Sequence, residues 1–528
     1  MCNLKKAMGV LLIGASLSFM PSAHAEIMTY EGIGEYIMSD FETPDIAKQR
    51  AKVRAEQHAA EQAGVYVKSY TKTVNHIVET DEVTAIANTI IKIVDEKYTV
   101  TPLNEKGGSF RVQVTIRATV DSVRIDDWLK RDYYKNVELV EQNKRLQKER
   151  EEQEREIQKL RYELSATTNK NKLEKLEKSI IDEDRKFISR QKVNEGYKLY
   201  TEEKYIESIE TCSQAIGLNE RNATAYYLRG LAYYAQKNYQ QAIKDYNKVI
   251  ELKPKFSYGY SKRGRVFQDQ KKYELAINDY SKAIELNNKN KEAYNCRGLS
   301  YAEKGDFQKA INDYNNVLKI DSKYDSAYYN RGIVYAKQGK YQDAMKDYNS
   351  AIALNRQNDS YYVNRGNVYY EQGKYRQAKD NYNKAIEIKE NAMAHYNKGV
   401  IYSKEGNKVQ ALVEYNKAIE IDSEYANAYY NRGLLYKENR KYELAIVDIS
   451  KTIELRPDSI DAYESRGVIY GIIGEYIKAI SDFSKVIKLS PENAGAYYNR
   501  GYANYLLGNK EQAASDYIKA KELGYKNE

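Results

Sequence analysis

The stretch "YYNRGIVYAKQGKYQDAMKDYNSAIAL", Tyr328 to Leu354, carries five tyrosines in 27 residues. It recurs along the chain. With Gly332 as position 8 of a unit, equivalent glycines stand at Gly196, Gly230, Gly264, Gly298, Gly366, Gly399, Gly433, Gly467 and Gly501. Every step is 34 residues except Gly366 to Gly399, which is 33. A fixed period of this size marks a solenoid of stacked units, and ten of them cover 189–527.

Within a unit the apolar and aromatic positions are 4, 8 and 11, then 17, 20, 21, 24, 27 and 28. Spacings of three and four predict two amphipathic helices. Position 15 between them is glycine in six units, from Gly305 to Gly508, which suits the left-handed end of a helix. Pro254, Pro457 and Pro491 follow the second helix at position 32. The unit therefore reads helix, turn, helix, turn. The small residues at 8 and 20 sit among large aromatics at 4, 11, 17 and 24, an alternation that lets helices interdigitate.

This pattern resembles the tetratricopeptide repeat (TPR) family, over about two thirds of the chain. In the quoted unit the family's aromatic, glycine, tyrosine, alanine, aromatic and alanine are Tyr328, Gly332, Tyr335, Ala344, Tyr348 and Ala351, and no proline stands at position 32. The resemblance implies a mainly α fold, a right-handed α-solenoid of ten helix-turn-helix repeats.

Most of the 53 tyrosines then read as scaffold at positions 4, 11, 17 and 24. A tyrosine can bury its ring while its hydroxyl reaches water or a backbone acceptor. Position 5 differs, with Tyr227, Tyr329, Tyr396, Tyr430 and Tyr498. It lies about 100° round the helix from position 4. In arrays of this family that stripe lines the concave surface where partner peptides lie. Position 6 adds Asn330, Asn364, Asn397, Asn431 and Asn499, and also Asn194; carboxamides offer donors and an acceptor to a peptide backbone. These tyrosines and asparagines are the expected partner-binding wall. The plainer reading is that they only pack and hydrate it. The family's carboxylate clamp needs Lys at 5 and Asn at 9, and no unit has the pair: Asn367 is matched by Val363.

Position 7 is Arg in eight units and position 23 Asp in seven, as Arg331 and Asp347. Beside the small positions they read as ion pairs between helices, or as a ladder of anion-binding arginines. The seventh unit departs, with His395 at 4, Lys408 at 17 and a one-residue deletion before it, so an altered contact or bend is expected near 390–410. The tenth, with Asn504 and Lys510, reads as a polar end cap.

Ahead of the repeats, 26–131 reads as a small α+β domain. Strands are expected at 27–38, 65–78, 92–100 and 109–120, and helices at 44–63 and 83–91, with Lys106–Gly108 turning the last two strands into a hairpin. "KQRAKVRAEQHAAEQAGVYV" (48–67) resembles the N-terminal module of the flagellar assembly protein T group of envelope proteins. Residues 132–188 are a charged helical linker. Leu139, Leu146, Ile157, Leu160 and Leu164 keep heptad places, giving a coiled coil that could set a homo-oligomer, or a single spacer helix broken at Ser165–Lys172.

Residues 1–25 read as a secretory signal peptide: Lys5 and Lys6, an apolar run from Ala7 to Met20, then Ala23-His24-Ala25. The run is too short to span a membrane. Cys212 and Cys296 sit at core and wall positions rather than in a disulfide framework. A net charge of +9 from interspersed signs gives no nucleic-acid face. No metalloprotease, P-loop, CxxC or serine-elbow motif is present. The reading is a non-enzymatic, cofactor-free exported scaffold in a bacterial periplasm or envelope, binding protein or extended peptide. Alternatives are a subunit of an export or assembly apparatus, a periplasmic holdase, or a glycan binder with an aromatic wall.

Overall fold

A computed structural model of the chain describes residues 27–38, 42–73, 90–103, 109–123 and 154–526, with single residues at 87, 125, 148 and 152. The signal segment, the Lys106–Gly108 turn, most of the helix expected at 83–91 and most of 126–153 lie outside these. The chain divides into two compact units, 1–266 and 267–528.

The first unit opens with a three-stranded antiparallel sheet, in the order β1 (Ile27–Met38), β3 (Phe110–Asp121), β2 (Lys92–Pro102). Helix α1 (Pro44–Thr73) lies on it. Alanines at 47, 51, 55, 59 and 63 form a four-residue stripe that is wholly buried. They let α1 approach β1 so closely that a Cβ on Gly32 or Gly34 would lie 2.0 Å from a helix carbonyl oxygen, of Ala55 or Ala51. The strand expected at 65–78 is not one where it is described: α1 continues through Thr73. Val67 extends the alanine stripe and is buried, while Val65 points to solvent, so helical spacing overrides the β-branched residues.

The linker is not a free coiled coil in its described part. Helix α2 (154–165) turns at 166–169 into α3 (Lys170–Thr201), whose start is capped by Asn169. Heptad residues Leu160 and Leu164 pack against Leu173, Leu176 and Ile180 of the same chain. Ile157 is also buried. The described part of the apolar stripe assigned to self-association is packed within the chain, while Leu139 and Leu146 lie outside the described residues. α3 then runs without a break into the first repeat, so the division at 188/189 falls inside one helix.

A buried ion cluster ties this helix to the small domain. Arg50 on α1 donates to Asp184 on α3 at 2.8 Å and lies 3.8 Å from Glu42. Its guanidinium stands 4.6 Å from the Phe187 ring, while Arg161 on α2 pairs with Glu42.

From α3 onward the structure is a repeat solenoid of paired helices, such as Asp325–Lys337 with Tyr341–Leu354. Position 15 takes positive φ in every repeat. Gly305, Gly339, Gly373, Gly406, Gly474 and Gly508 are joined there by Glu203, Lys237, Lys271 and Arg440, at φ 58–62°. The position-24 tyrosines at 246, 314, 348, 382 and 415 are buried against the position-8 glycines. Cys212 and Cys296 are buried free thiols. The last repeat is not a polar cap: Tyr502, Tyr505, Leu506, Leu507 and Ile518 are exposed, and Tyr525 stacks on Tyr498 with centroids 4.3 Å apart.

Candidate partner-binding face

Position 7 arginines bridge repeats. Arg331 donates through Nε and Nη2 to Asp347 of its own repeat, both at 2.7 Å, and through Nη1 to Asn315 of the preceding repeat. Arg229, Arg297, Arg432, Arg466 and Arg500 repeat the arrangement, each reaching a Ser or Asn of the preceding second helix. The bidentate bond to Asp347 pushes the Arg331 guanidinium up, against burial. These arginines are structural, so the ladder of free anion sites is not what the array presents.

Two repeats change the pattern. In the sixth, Arg365 meets Asn381, which carries no charge, and burial pulls its guanidinium down instead. In the seventh, Lys398 and Glu414 replace the pair at 2.9 Å. His395 lies between Glu414 at 2.6 Å and Glu390 at 3.2 Å. Burial would raise the Glu414 carboxyl, but His395 and Lys398 hold it down at about 2. This is the altered contact expected near 390–410.

The expected wall is only partly a wall. Tyr227 is 1% exposed, wedged between Tyr246 and Phe256, and its hydroxyl has no partner among the described residues. It is removed from the wall. Tyr329, Tyr396 and Tyr498 pack in the same way between a position-24 ring and a ring that follows the second helix, Tyr361 at the start of the next repeat or Tyr425 and Tyr525 at the end of their own. Burial raises the hydroxyls of Tyr329, Tyr396 and Tyr430. The wheel of one helix separates position 5 from the core, but a ring following the second helix packs over it. Tyr329, Tyr396, Tyr430 and Tyr498 stay half-exposed, as do position-4 rings such as Tyr328, which stands 5.6 Å from the Arg331 guanidinium.

The asparagines form a ladder that spacing alone did not reveal. Asn364 Nδ2 donates to the Tyr329 hydroxyl at 2.9 Å, and Asn431 Nδ2 to that of Tyr396 at 3.0 Å. Asn330 donates to Asn295, and Asn397 to Asn367. Ser465 meets the Tyr430 hydroxyl at 3.1 Å. Each link joins one repeat to the one before. Asn499 makes no such bond among the described residues. The four bonded asparagines are half-buried, and each carboxamide keeps hydrogen-bonding capacity at Oδ1.

Among the described residues no group of three or more His, Cys, Asp or Glu could hold a metal, and no helix is long and apolar enough to cross a membrane.

The family description "TPR repeat" matches 264–305, 298–339, 334–373, 409–440 and 472–508. "Tetratricopeptide repeat" matches 223–256, 360–391, 426–459 and 494–523. The chain belongs to the tetratricopeptide repeat family. Among solved structures it is similar to a tetratricopeptide repeat protein from Parabacteroides merdae, at 26% identity over 45% of this chain and 94% of that one, with a TM-score of 0.33. It is also similar to YrrB, described as "a TPR protein with an unusual peptide-binding site", at 25% identity over 35% and 97%, with a TM-score of 0.28. Cut9 bound to Hcn1 aligns at 15% identity over 65% and 66%, with a TM-score of 0.40. No curated protein matches the chain.

Proposed function

We propose that the chain is an exported bacterial scaffold that binds an extended peptide along the first helices of repeats 5 to 8. The family supports a protein-interaction role. The observation that carries the site is the ladder of Asn330, Asn364, Asn397 and Asn431. Each carboxamide is fixed by one N–H to the preceding repeat, so its Oδ1 recurs once per repeat, already oriented. An extended backbone offers donors and acceptors at regular spacing, and preorganised groups bind it at less entropic cost. Export rests on the signal-like segment at 1–25, with Glu26 as the first mature residue.

The full chain is used as bait on envelope and cytosolic extracts, beside Asn364→Ala with Asn431→Ala. A discrete envelope partner kept by the first and lost by the second, with unchanged circular dichroism, is the expected result. A partner held equally by both moves binding off this face. Sequencing the N-terminus of the secreted form tests export separately.

A further inference from the structure

The second helices of repeats 7, 8 and 9 are Lys408–Ile421, Tyr442–Leu455 and Tyr476–Leu489. In repeats 2 to 6, positions 18 and 22 of this helix are Gln, Glu, Lys, Arg, Asn or Asp throughout. In repeats 7 to 9 four of these six positions are apolar, Val409, Val413, Val447 and Ile477, while Glu443 and Ser481 stay polar. Val409 is 76% exposed, Val413 40%, Leu444 47%, Val447 65% and Ile477 71%, with Ile473 at 38% in the turn before. Successive repeats are stapled by Arg432 to Asn416 and Arg466 to Ser450, so the three helices follow one another in the stack. Six large aliphatic side chains on neighbouring helices are of the order of a monomer's largest apolar patch, roughly 300–600 Å². With a polar rim, such a patch approaches the about 800 Å² per partner that a stable interface buries.

We propose that this face is a homodimer interface in which the helix Tyr442–Leu455 lies antiparallel to its own copy about Val447. The charges beside the patch fit that arrangement. Glu443 and Lys451 stand four residues either side of Val447 on one helical face, and Lys451 also pairs with Glu454 of its own chain at 2.6 Å. Reversing the helix sets Glu443 against Lys451 of the partner subunit. A parallel arrangement would set Glu443 against its own copy, which repels. A two-fold interface must be self-complementary, and this face is so in both its apolar centre and its charges. It is separate from the coiled coil expected of the linker, whose Leu160 and Leu164 are used within the chain.

Sedimentation equilibrium of the full chain over a hundredfold concentration range tests this. The wild-type chain is expected to reach dimer, with Val447→Lys weakening association at least tenfold. Glu443→Lys weakens it too, and adding Lys451→Glu to the same chain restores it. A wild-type chain that stays monomeric overturns the proposal, whether or not another protein or a lipid vesicle occupies the face. So does a dimer that Val447→Lys leaves intact, or a charge swap that fails to restore one. All these positions are exposed or half-exposed, and circular dichroism verifies the fold of each variant.

Discussion

A methyl group on Gly366 would lie 2.6 Å from Cε1 of the buried Tyr382 ring. Position 8 is therefore glycine because the ring of position 24 occupies the space a Cβ needs. Gly366→Ala is expected to lower stability to urea by about 1–3 kcal/mol through overpacking. Gly217 sits in a helix with nothing within 4 Å of its missing Cβ, and Gly217→Ala is expected to raise stability by roughly 0.5–1 kcal/mol. The recurrence of glycine at position 8 showed in the sequence that something approaches closely there. Which group approaches did not, since that depends on how the second helix folds back. The same limit explains position 5. Tyr227 looks exposed on the wheel of its own helix, and only Phe256 at the end of its repeat buries it. Arg365 gives a further prediction at this scale. Asn381→Asp supplies the aspartate that seven other repeats place there, and is expected to add about 1 kcal/mol in the same urea titration.

Among elements, the pair formed by Ala392–Lys404 and Lys408–Ile421 has the least regular polar joint of the array. Its Glu414 is held at about 2, below the 4.5 of a free side chain, and so is deprotonated more readily folded than unfolded. Such a group contributes stability that is fully present above about 4.5 and is lost as pH falls towards 2. Thermal unfolding followed between those values should show a pH dependence that Glu414→Gln flattens. His395 was legible in the sequence as a departure, but its meeting with Lys398 and Glu414 at one joint was not, because it needs both helices of the repeat. The α1 helix shows the converse. Its alanine stripe was legible, yet Val65 and Val67 suggested a strand, and burial of Val67 in register with Ala63 is what keeps the segment helical.

At the scale of the whole chain, the small α+β domain is joined to the first repeat by charge rather than only by covalent linkage. Arg50 and Asp184 are both buried, and a buried ion left without its partner costs about 3–5 kcal/mol. Asp184→Ala should therefore cost about that much in the first unit, measured by urea unfolding, whereas Arg50→Met with Asp184→Leu should recover most of it. The sequence separates these residues by more than a hundred positions and offers no periodicity to connect them. The family, the repeat frame and the arginine pairs were legible because the same contact is written many times. The Arg50 contact occurs once and was not.

Hydrogen–deuterium exchange of the full chain, with and without the partner captured from envelope extract, tests the central claim. The account predicts protection centred on the first helices of repeats 5 to 8, Asp325–Lys337, Asp359–Glu371, Ala392–Lys404 and Ala426–Glu438. Protection confined to the small N-terminal domain, or to the second helices of repeats 7 to 9, would contradict it.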